Sequence, residues 1–119
     1  MTETQCGRRL SPGEYWFEDL QPGDHYSTGG IVVTEAHLVL YAGLSGDLFD
    51  VHVDDVFGRE QGFPGRIAHG LLGLALADGL KTRCSVRPMA VAALQWTWSF
   101  RAPIIIGDRI QAHITLAER

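Results

Sequence analysis

The chain has 119 residues, of which 45% are hydrophobic, and its formal net charge at pH 7 is −4. This length allows one domain with one core and is too short for two, and the composition is typical of a folded globular protein. Ten Lys and Arg residues stand against fourteen Asp and Glu, which argues against a basic face for nucleic acid.

The N-terminal segment MTETQCGRRLSPG is polar and closes on a Pro-Gly pair. Residues 1–13 are therefore predicted to form a flexible arm ahead of a single domain over residues 14–119. The segment lacks the apolar core of a secretory signal, and no apolar run approaches the ~20 residues of a membrane helix. Cys6 and Cys84 form no C-x-x-C pair, which argues against a disulfide framework and a zinc site. We expect a cytoplasmic protein with two free thiols.

A strand and a helix are predicted in the first half of the chain. Residues 25–33 (HYSTGGIVV) indicate the strand, which two glycines weaken. Thr34 is a suitable helix N-cap, Glu35 lies in the first turn, and apolar residues follow at helical spacing. The helix should end within residues 43–46, where glycine can supply a left-handed cap.

The segment IAHGLLGLALADGL, residues 67–80, predicts the central helix. It is apolar on almost every side, which is typical of a buried helix. Gly70 and Gly73 weaken a free helix, so tertiary packing must stabilise it. The same two glycines should allow another backbone to approach one flank closely.

Two strands are predicted after this helix. Residues 94–100 alternate large apolar with polar side chains, and residues 110–116, beyond a Gly-Asp turn, alternate apolar with polar ones. The two segments should form adjacent antiparallel strands, whose apolar face needs the central helix as its cover. The predicted fold class is therefore α+β, with one antiparallel sheet wrapped around a buried helix.

The stretch SGDLFDVHVDD, residues 45–55, combines a histidine with several acids. Asp47 lies five positions before His52, which places the two side chains ~140° apart on a helix and on opposite faces of a strand. Only a folded loop brings them together. If it does, carboxylate and imidazole can share one water and exchange protons with a substrate near neutral pH.

Two other interpretations of this stretch stay open. A loop rich in acids is often only solvated surface. A metal site could use His52 and Asp54 with His69, although the spacing lacks the compactness of motifs such as H-E-x-x-H.

The turn GFPGR precedes the central helix directly. The first N–H groups of a helix have no intrahelical acceptor and carry its positive dipole end. Beside an acid/base loop, such a helix start suits the negative charge that develops on a carbonyl oxygen during a reaction.

Together, G-D-L-F-D-V-H and G-R-I-A-H-G-L-L resemble the (R)-specific enoyl-CoA hydratases, the MaoC-like dehydratases of the hot-dog fold. That family's motif reads G-D-x-N-P-x-H, followed by a helix start of the type I-A-H-G-x-L. The segments G-E-Y-W-F-E-D-L-Q-P-G-D and T-E-A-H-L-V-L-Y-A-G-L-S-G-D are similar to its opening segment and first helix. The resemblance covers most of residues 14–119 and implies a hot-dog fold.

The resemblance also implies an activity and roles for particular residues. Asp47 and His52 match the catalytic pair, which would activate a water for addition to C3 of a trans-2-enoyl thioester of coenzyme A or acyl carrier protein. The backbone N–H of Gly70 would stabilise the enolate-like charge on the thioester oxygen. The reaction is reversible and needs no cofactor or metal ion. The residues expected to contact the substrate are Arg66, Ile67 and His69.

The chain departs from the family pattern at several places. Phe49 and Asp50 replace the Asn-Pro that orders the loop, and Asp78 stands where some relatives carry a serine near the catalytic aspartate. The family continues with strands beyond residue 119, so C-terminal strands are expected to be missing or supplied by a partner. The alternatives are a hot-dog thioesterase and a non-catalytic acyl-thioester-binding subunit. A homodimer or larger homo-oligomer is expected, because one sheet around one helix leaves apolar surface to bury.

Overall fold

The N-terminal segment is packed where it is described. The computed structural model describes residues 7–119, so the first six residues of the predicted arm, including Cys6, lie outside the described residues. The backbone N–H of Leu10, a buried residue, donates to the His25 carbonyl at 2.9 Å. The Arg8 guanidinium binds the buried Asp24 carboxylate at 2.6 Å. The second half of the predicted arm is therefore held on the domain.

The described residues contain four strands and four α-helices. In chain order they are β1 (Gly13–Tyr15), a 3-10 turn (Phe17–Asp19), β2 (His25–Val32), α1 (Glu35–Ser45), α2 (Asp50–Val53), α3 (Asp55–Glu60), α4 (Gly70–Thr82), β3 (Val86–Pro88) and β4 (Arg109–Thr115). Among these residues, no helix has the length and apolar character needed to cross a bilayer.

Helix α1 has the bounds that its sequence predicts. Thr34 is the extended N-cap, and its backbone N–H donates to Nδ1 of His37 at 2.9 Å. Gly46 is the C-cap with φ of 76°, a left-handed conformation that glycine adopts without a steric cost. The predicted start and end of this helix are confirmed.

The main strand pair is antiparallel and joins β2 to β4. The register runs from His25 opposite Thr115 to Val32 opposite Arg109, with an irregularity between Ser27 and Gly30. A second, parallel pair joins β1 to β3. The first predicted strand is therefore confirmed, and the glycines fall where its pairing is interrupted.

The predicted pairing of residues 94–100 with residues 110–116 is wrong. Within the described residues, none from 89 to 104 belongs to a strand, and Leu94 is 98% exposed. Alternation defines an apolar face but does not select the neighbouring strand. That choice depends on the turn at Gly107 and Asp108, because both hydrogen-bond the backbone of Val33 at 2.8 Å and start β4 beside the end of β2.

Helix α4 begins later and is less buried than predicted. Its first residue is Gly70 rather than residue 67. Ile67 forms an antiparallel bridge with Ile105, and its carbonyl accepts from His52 at 2.8 Å instead of from a helical N–H. Leu71 is 58% exposed, since one strand pair covers only one side of the helix. Side chains rather than another backbone make the expected close approach at the two glycines. A Cβ added to Gly70 would overlap the side chain of Phe100, and one added to Gly73 would overlap the side chain of Ile104.

The main core cluster holds the end of β2, α1 and α4 together. Its buried members are Val33, Leu38, Ala68 and Leu72. A second cluster lies near the N-terminus and contains Leu10, Tyr26 and Val86. Because Ala68 belongs to the main cluster, the short segment of residues 67–69 before α4 is anchored in the core.

Candidate active site

The loop after α1 brings Asp47 and His52 together. Its first turn is closed by the Ser45 hydroxyl, which accepts from the Asp47 N–H at 3.1 Å. The Asp47 carboxylate accepts from the Phe49 N–H at 3.2 Å. Helix α2 then turns the chain back, and Oδ2 of Asp47 lies 3.8 Å from Nε2 of His52. A water placed between these two atoms could bond to both.

The loop closes although the family's Asn-Pro pair is replaced. Phe49 takes the N-cap position of α2, with φ of −58° and ψ of 140°. Its ring meets Phe57 edge-on, with a centroid distance of 5.7 Å. Asp50 occupies the first turn of α2, where an acidic side chain is favourable. An aromatic contact and a helical turn therefore shape the loop here.

Hydrogen bonding determines the tautomer of His52. Its Nδ1 lies 2.8 Å from the Ile67 carbonyl, which can only accept, so Nδ1 carries the hydrogen. In the neutral ring, Nε2 then presents its lone pair toward Asp47. The side chain is 13% exposed. His52 is thus arranged to accept a proton on the side that faces Asp47.

His69 lies directly behind this pair. It is 3% exposed, and its Nε2 donates to the backbone carbonyl of Asp47 at 2.9 Å. Its ring stacks on that of His52 with centroids 3.8 Å apart and planes 22° apart, and Tyr41 lies 4.8 Å away. Nδ1 of His69 is buried and has no hydrogen-bond partner among residues 7–119.

Gly70 is the first residue of α4, with His69 as its N-cap. Its N–H has no acceptor within the helix and lies at the positive end of the helix dipole. The Phe100 ring packs against this glycine so closely that an added Cβ would overlap it. Gly70 therefore has an N–H without an intrahelical acceptor, and its lack of a side chain allows the Phe100 ring to lie close to the helix start.

These groups line one cavity of about 250 Å³. Four of its residues are predicted site residues, namely Asp47, His52, His69 and Gly70. Four were missed from the sequence, namely Tyr41, Ser45, Leu71 and Phe100. Tyr41 and Ser45 lie one helical turn apart at the end of α1, which is a signal the sequence contains, whereas nothing local links Phe100 to this loop.

Arg66 braces the turn before α4 and does not line the cavity. Its Nε and backbone N–H both lie 3.0 Å from Oδ1 of Asp55, and Nη2 is 3.2 Å from Glu35. Burial lowers the pKa of Arg66, but the two carboxylates outweigh burial and the net pKa is raised. The backbone N–H of Arg66, followed by its guanidinium, lowers the pKa of Asp55. Ile67 reaches the site only through its carbonyl, so substrate contacts by these two residues stay predictions.

Asp78 does not add a second carboxylate beside Asp47. It pairs with Lys81 at 2.8 Å and lines a different cavity of about 440 Å³ on the side of α4 near Trp96. The residue that replaces the family's serine therefore lies away from the acid/base pair.

The described geometry favours proton transfer over metal coordination. Asp54 is the N-cap of α3 and accepts from the N–H groups of Val56 and Phe57. It is not among the residues whose ligand atoms cluster with those of the two histidines. Asp47, His52 and His69 each offer a ligand atom within 4.8 Å of the others. Zinc, however, binds imidazole in the ring plane at about 2.0–2.1 Å. Two rings stacked 3.8 Å apart and 22° from parallel do not direct their lone pairs at one such point.

Residues 19–119 match the family model described as MaoC like domain. Protein MaoC of Klebsiella aerogenes is 36% identical over 107 residues, which are 90% of this chain and 32% of that protein. The (R)-specific enoyl-CoA hydratase of Rhodospirillum rubrum is 31% identical over 102 residues, 86% of this chain and 69% of that protein. The structure of R-hydratase PhaJ1 from Pseudomonas aeruginosa in the unliganded form matches with a TM-score of 0.73 and 27% identity, covering 86% of this chain and 64% of that one. The chain thus spans about a third of one curated relative and about two thirds of the other.

Proposed function

Because this chain belongs to the MaoC-like domain family and has the hot-dog fold, we propose that it is a hydratase or dehydratase of enoyl thioesters. It would interconvert a trans-2-enoyl-CoA and the 3-hydroxyacyl-CoA, as the name of the Rhodospirillum rubrum relative suggests. The observation that carries the proposal is the 3.8 Å approach of Oδ2 of Asp47 to Nε2 of His52, in a cavity that also contains the start of α4.

The proposed reaction assigns each group one task. Asp47 and His52 hold a water, and Nε2 of His52 takes one of its protons as the water oxygen bonds to C3 of the substrate. The electrons of the C2–C3 double bond move toward the thioester oxygen, where the N–H of Gly70 and the dipole of α4 stabilise the negative charge. The proton then passes from the pair to C2, so hydroxyl and hydrogen add across the double bond. Dehydration is the same path in reverse.

Two alternatives stay predictions. A thioesterase would direct the activated water at the thioester carbon and release a thiol. A non-catalytic subunit would bind the acyl thioester without turnover, and the replacement of Asn-Pro by Phe49 and Asp50 is the feature that favours it. Thiol release and turnover are separate observables, so one set of assays separates the three functions.

A homo-oligomer is also part of the proposal. Large apolar side chains are exposed in residues 91–100, namely Val91, Leu94, Trp96, Trp98 and Phe100. Exposed apolar side chains in such number are expected at association sites. Light scattering on the purified protein gives the number of chains per particle, and a stable monomer at micromolar concentration would contradict this part.

The test of the proposed activity is the loss of conjugated-thioester absorbance with a short trans-2-enoyl-CoA. Asp47→Asn and His52→Gln should each lower kcat by about 10²–10⁴-fold, while circular dichroism stays that of the parent. Asp78→Asn makes the same chemical change in the other cavity and should keep the parent rate. A thiol reagent in parallel detects hydrolysis. Parent-like turnover in Asp47→Asn would exclude the proposed mechanism.

A further inference from the structure

His69 restrains both members of the acid/base pair at once. Its ring Nε2 donates to the backbone carbonyl of Asp47 at 2.9 Å, across 22 positions of sequence. Its ring face covers that of His52 with centroids 3.8 Å apart. The sequence predicts a residue that contacts substrate, but the contacts observed are to the two groups that would act on the water.

The surroundings of the His69 ring bear on where it can carry a hydrogen. A carbonyl can only accept, so Nε2 carries a hydrogen, and in the neutral ring Nδ1 then carries the lone pair. A second proton on Nδ1 would be buried without an acceptor among the described residues, which is costly. It would also place a positive ring face to face with His52 while His52 accepts the proton of the water. The neutral ring is therefore the form that this geometry suits.

The three parts of the site share one short segment. Residues 67–69 supply the carbonyl that orients His52 and the ring that holds Asp47, and Gly70 follows directly as the first residue of α4. Because Ala68 packs in the main core cluster, the backbone of this segment is held in place. The segment therefore restrains Asp47, His52 and the N–H of Gly70 together.

We propose that His69 is a positioning residue: its neutral ring fixes the Asp47 loop against the start of α4 and holds His52 with Nε2 toward the cavity. The inference rests on the proposed hydration for its kinetic consequence only. The structural consequence, an ordered His52 ring with its hydrogen on Nδ1, does not depend on any activity.

Two substitutions separate the functions of the ring. His69→Gln keeps an N–H able to reach the Asp47 carbonyl but removes the stacked ring. His69→Leu removes both and keeps an apolar side chain in the buried position. His113→Gln, at an exposed position of β4 and outside the cavity, controls for the loss of a histidine elsewhere.

The kinetic arm measures kcat and KM with a short trans-2-enoyl-CoA. His69→Leu should lower kcat by about 10–10²-fold, because a small misplacement of reacting groups is enough for such a loss. KM should stay within about twofold, and His69→Gln should recover at least part of kcat. A rise in KM at unchanged kcat would overturn the proposal in favour of a substrate contact.

The second arm records the ¹⁵N and ¹H signals of the His52 ring without substrate. The parent and His113→Gln should show a single tautomer protonated at Nδ1, and His69→Leu should show exchange between tautomers or a broadened Nδ1 proton. An unchanged His52 spectrum in both His69 variants would overturn the proposal even if the parent has no hydratase activity. If His69→Leu does not fold, His69→Gln is used alone in both experiments. Because His69→Gln lacks the stacked ring, it should still lower kcat and change the ring signals of His52.

Discussion

Two long segments connect the main elements of the fold: residues 46–70 between α1 and α4, and residues 89–104 between β3 and β4. Only in the first segment do side chains form hydrogen bonds to other residues of the same segment. In the first, polar side chains find partners within the same segment: His52 bonds Ile67 and Arg66 bonds Asp55. In the second, apolar side chains such as Leu94 project outward without a neighbouring strand. A polar loop can close on itself, whereas an alternating apolar segment needs a partner strand to hide one face.

The largest effect expected from a substitution in either segment comes from adding a side chain at a tight contact within residues 46–70. A Cβ on Gly58 would overlap the backbone carbonyl of Gly65, so Gly58→Ala should lower the free energy of unfolding by about 1–3 kcal/mol. Gly79 in α4 has open space around it, so Gly79→Ala should be neutral or stabilising by up to about 1 kcal/mol. Urea denaturation measures both, and equal effects would mean that the contact between Gly58 in α3 and the Gly65 carbonyl is not tightly packed.

Proteolysis should distinguish the segments next. In the dissociated monomer, trypsin is expected to cleave after Arg101, in the exposed second segment, at least about tenfold faster than after Arg66. Arg66 is held by Asp55 and Glu35 at a partly buried position. Mass spectrometry of early fragments identifies the first cut, and early cleavage at Arg66 would show that the first segment opens readily.

A smaller effect concerns the pH dependence of stability. Arg66 lowers the folded-state pKa of Asp55, through its backbone N–H first and its guanidinium next. The unfolded state then binds more protons than the folded state between the two pKa values. The stabilisation of the folded state by the Asp55–Arg66 contact is therefore fully present above the unfolded pKa of about 3.9, and it is lost as pH falls through the folded pKa. Asp55→Asn should be less stable than the parent at pH 7, and the difference should shrink toward pH 3. A constant difference in urea midpoint across this range would rule out the linkage.

The smallest expected effect belongs to the second segment. Leu94→Ser replaces a side chain that is 98% exposed in the single chain. At concentrations too low for the proposed association, it should change the free energy of unfolding by no more than about 0.5 kcal/mol. Leu72→Ala, in the main core cluster, is the contrast and should cost about 2–5 kcal/mol. A loss above about 1 kcal/mol for Leu94→Ser in the dissociated monomer would show that residues 89–104 are covered within a single chain.

The family, the fold and much of the local structure were predictable from the sequence. The bounds of α1 follow from Thr34 and from a glycine at its end, because caps are local chemistry. The glycine before Asp47 and the turn-forming Asp50 made a folded loop plausible, but the sequence left open whether Asp47 and His52 meet. The resemblance to MaoC-like dehydratases, stated from two motifs, is confirmed by the match over residues 19–119.

The strand partners and the burial of α4 were not predictable in this way. Residues 94–100 alternate as cleanly as residues 110–116, yet only β4 pairs, because the turn at Asp108 places it beside β2. The exposure of Leu71 likewise depends on how much sheet covers the helix. Both depend on elements that are distant in sequence, and no periodicity within a segment contains that information.

The sequence by itself determined which residue types stand at the helix start and in the acid/base loop, since caps, turns and motifs depend on neighbours within a few positions. Only the tertiary structure decided how they face one another. Burial of His69 requires the Asp47 loop and the core segment before α4 to close over it. Orientation of His52 requires the carbonyl of Ile67 at the right distance. These contacts join residues about 15–22 positions apart, and they form only when the core has fixed the backbone between them.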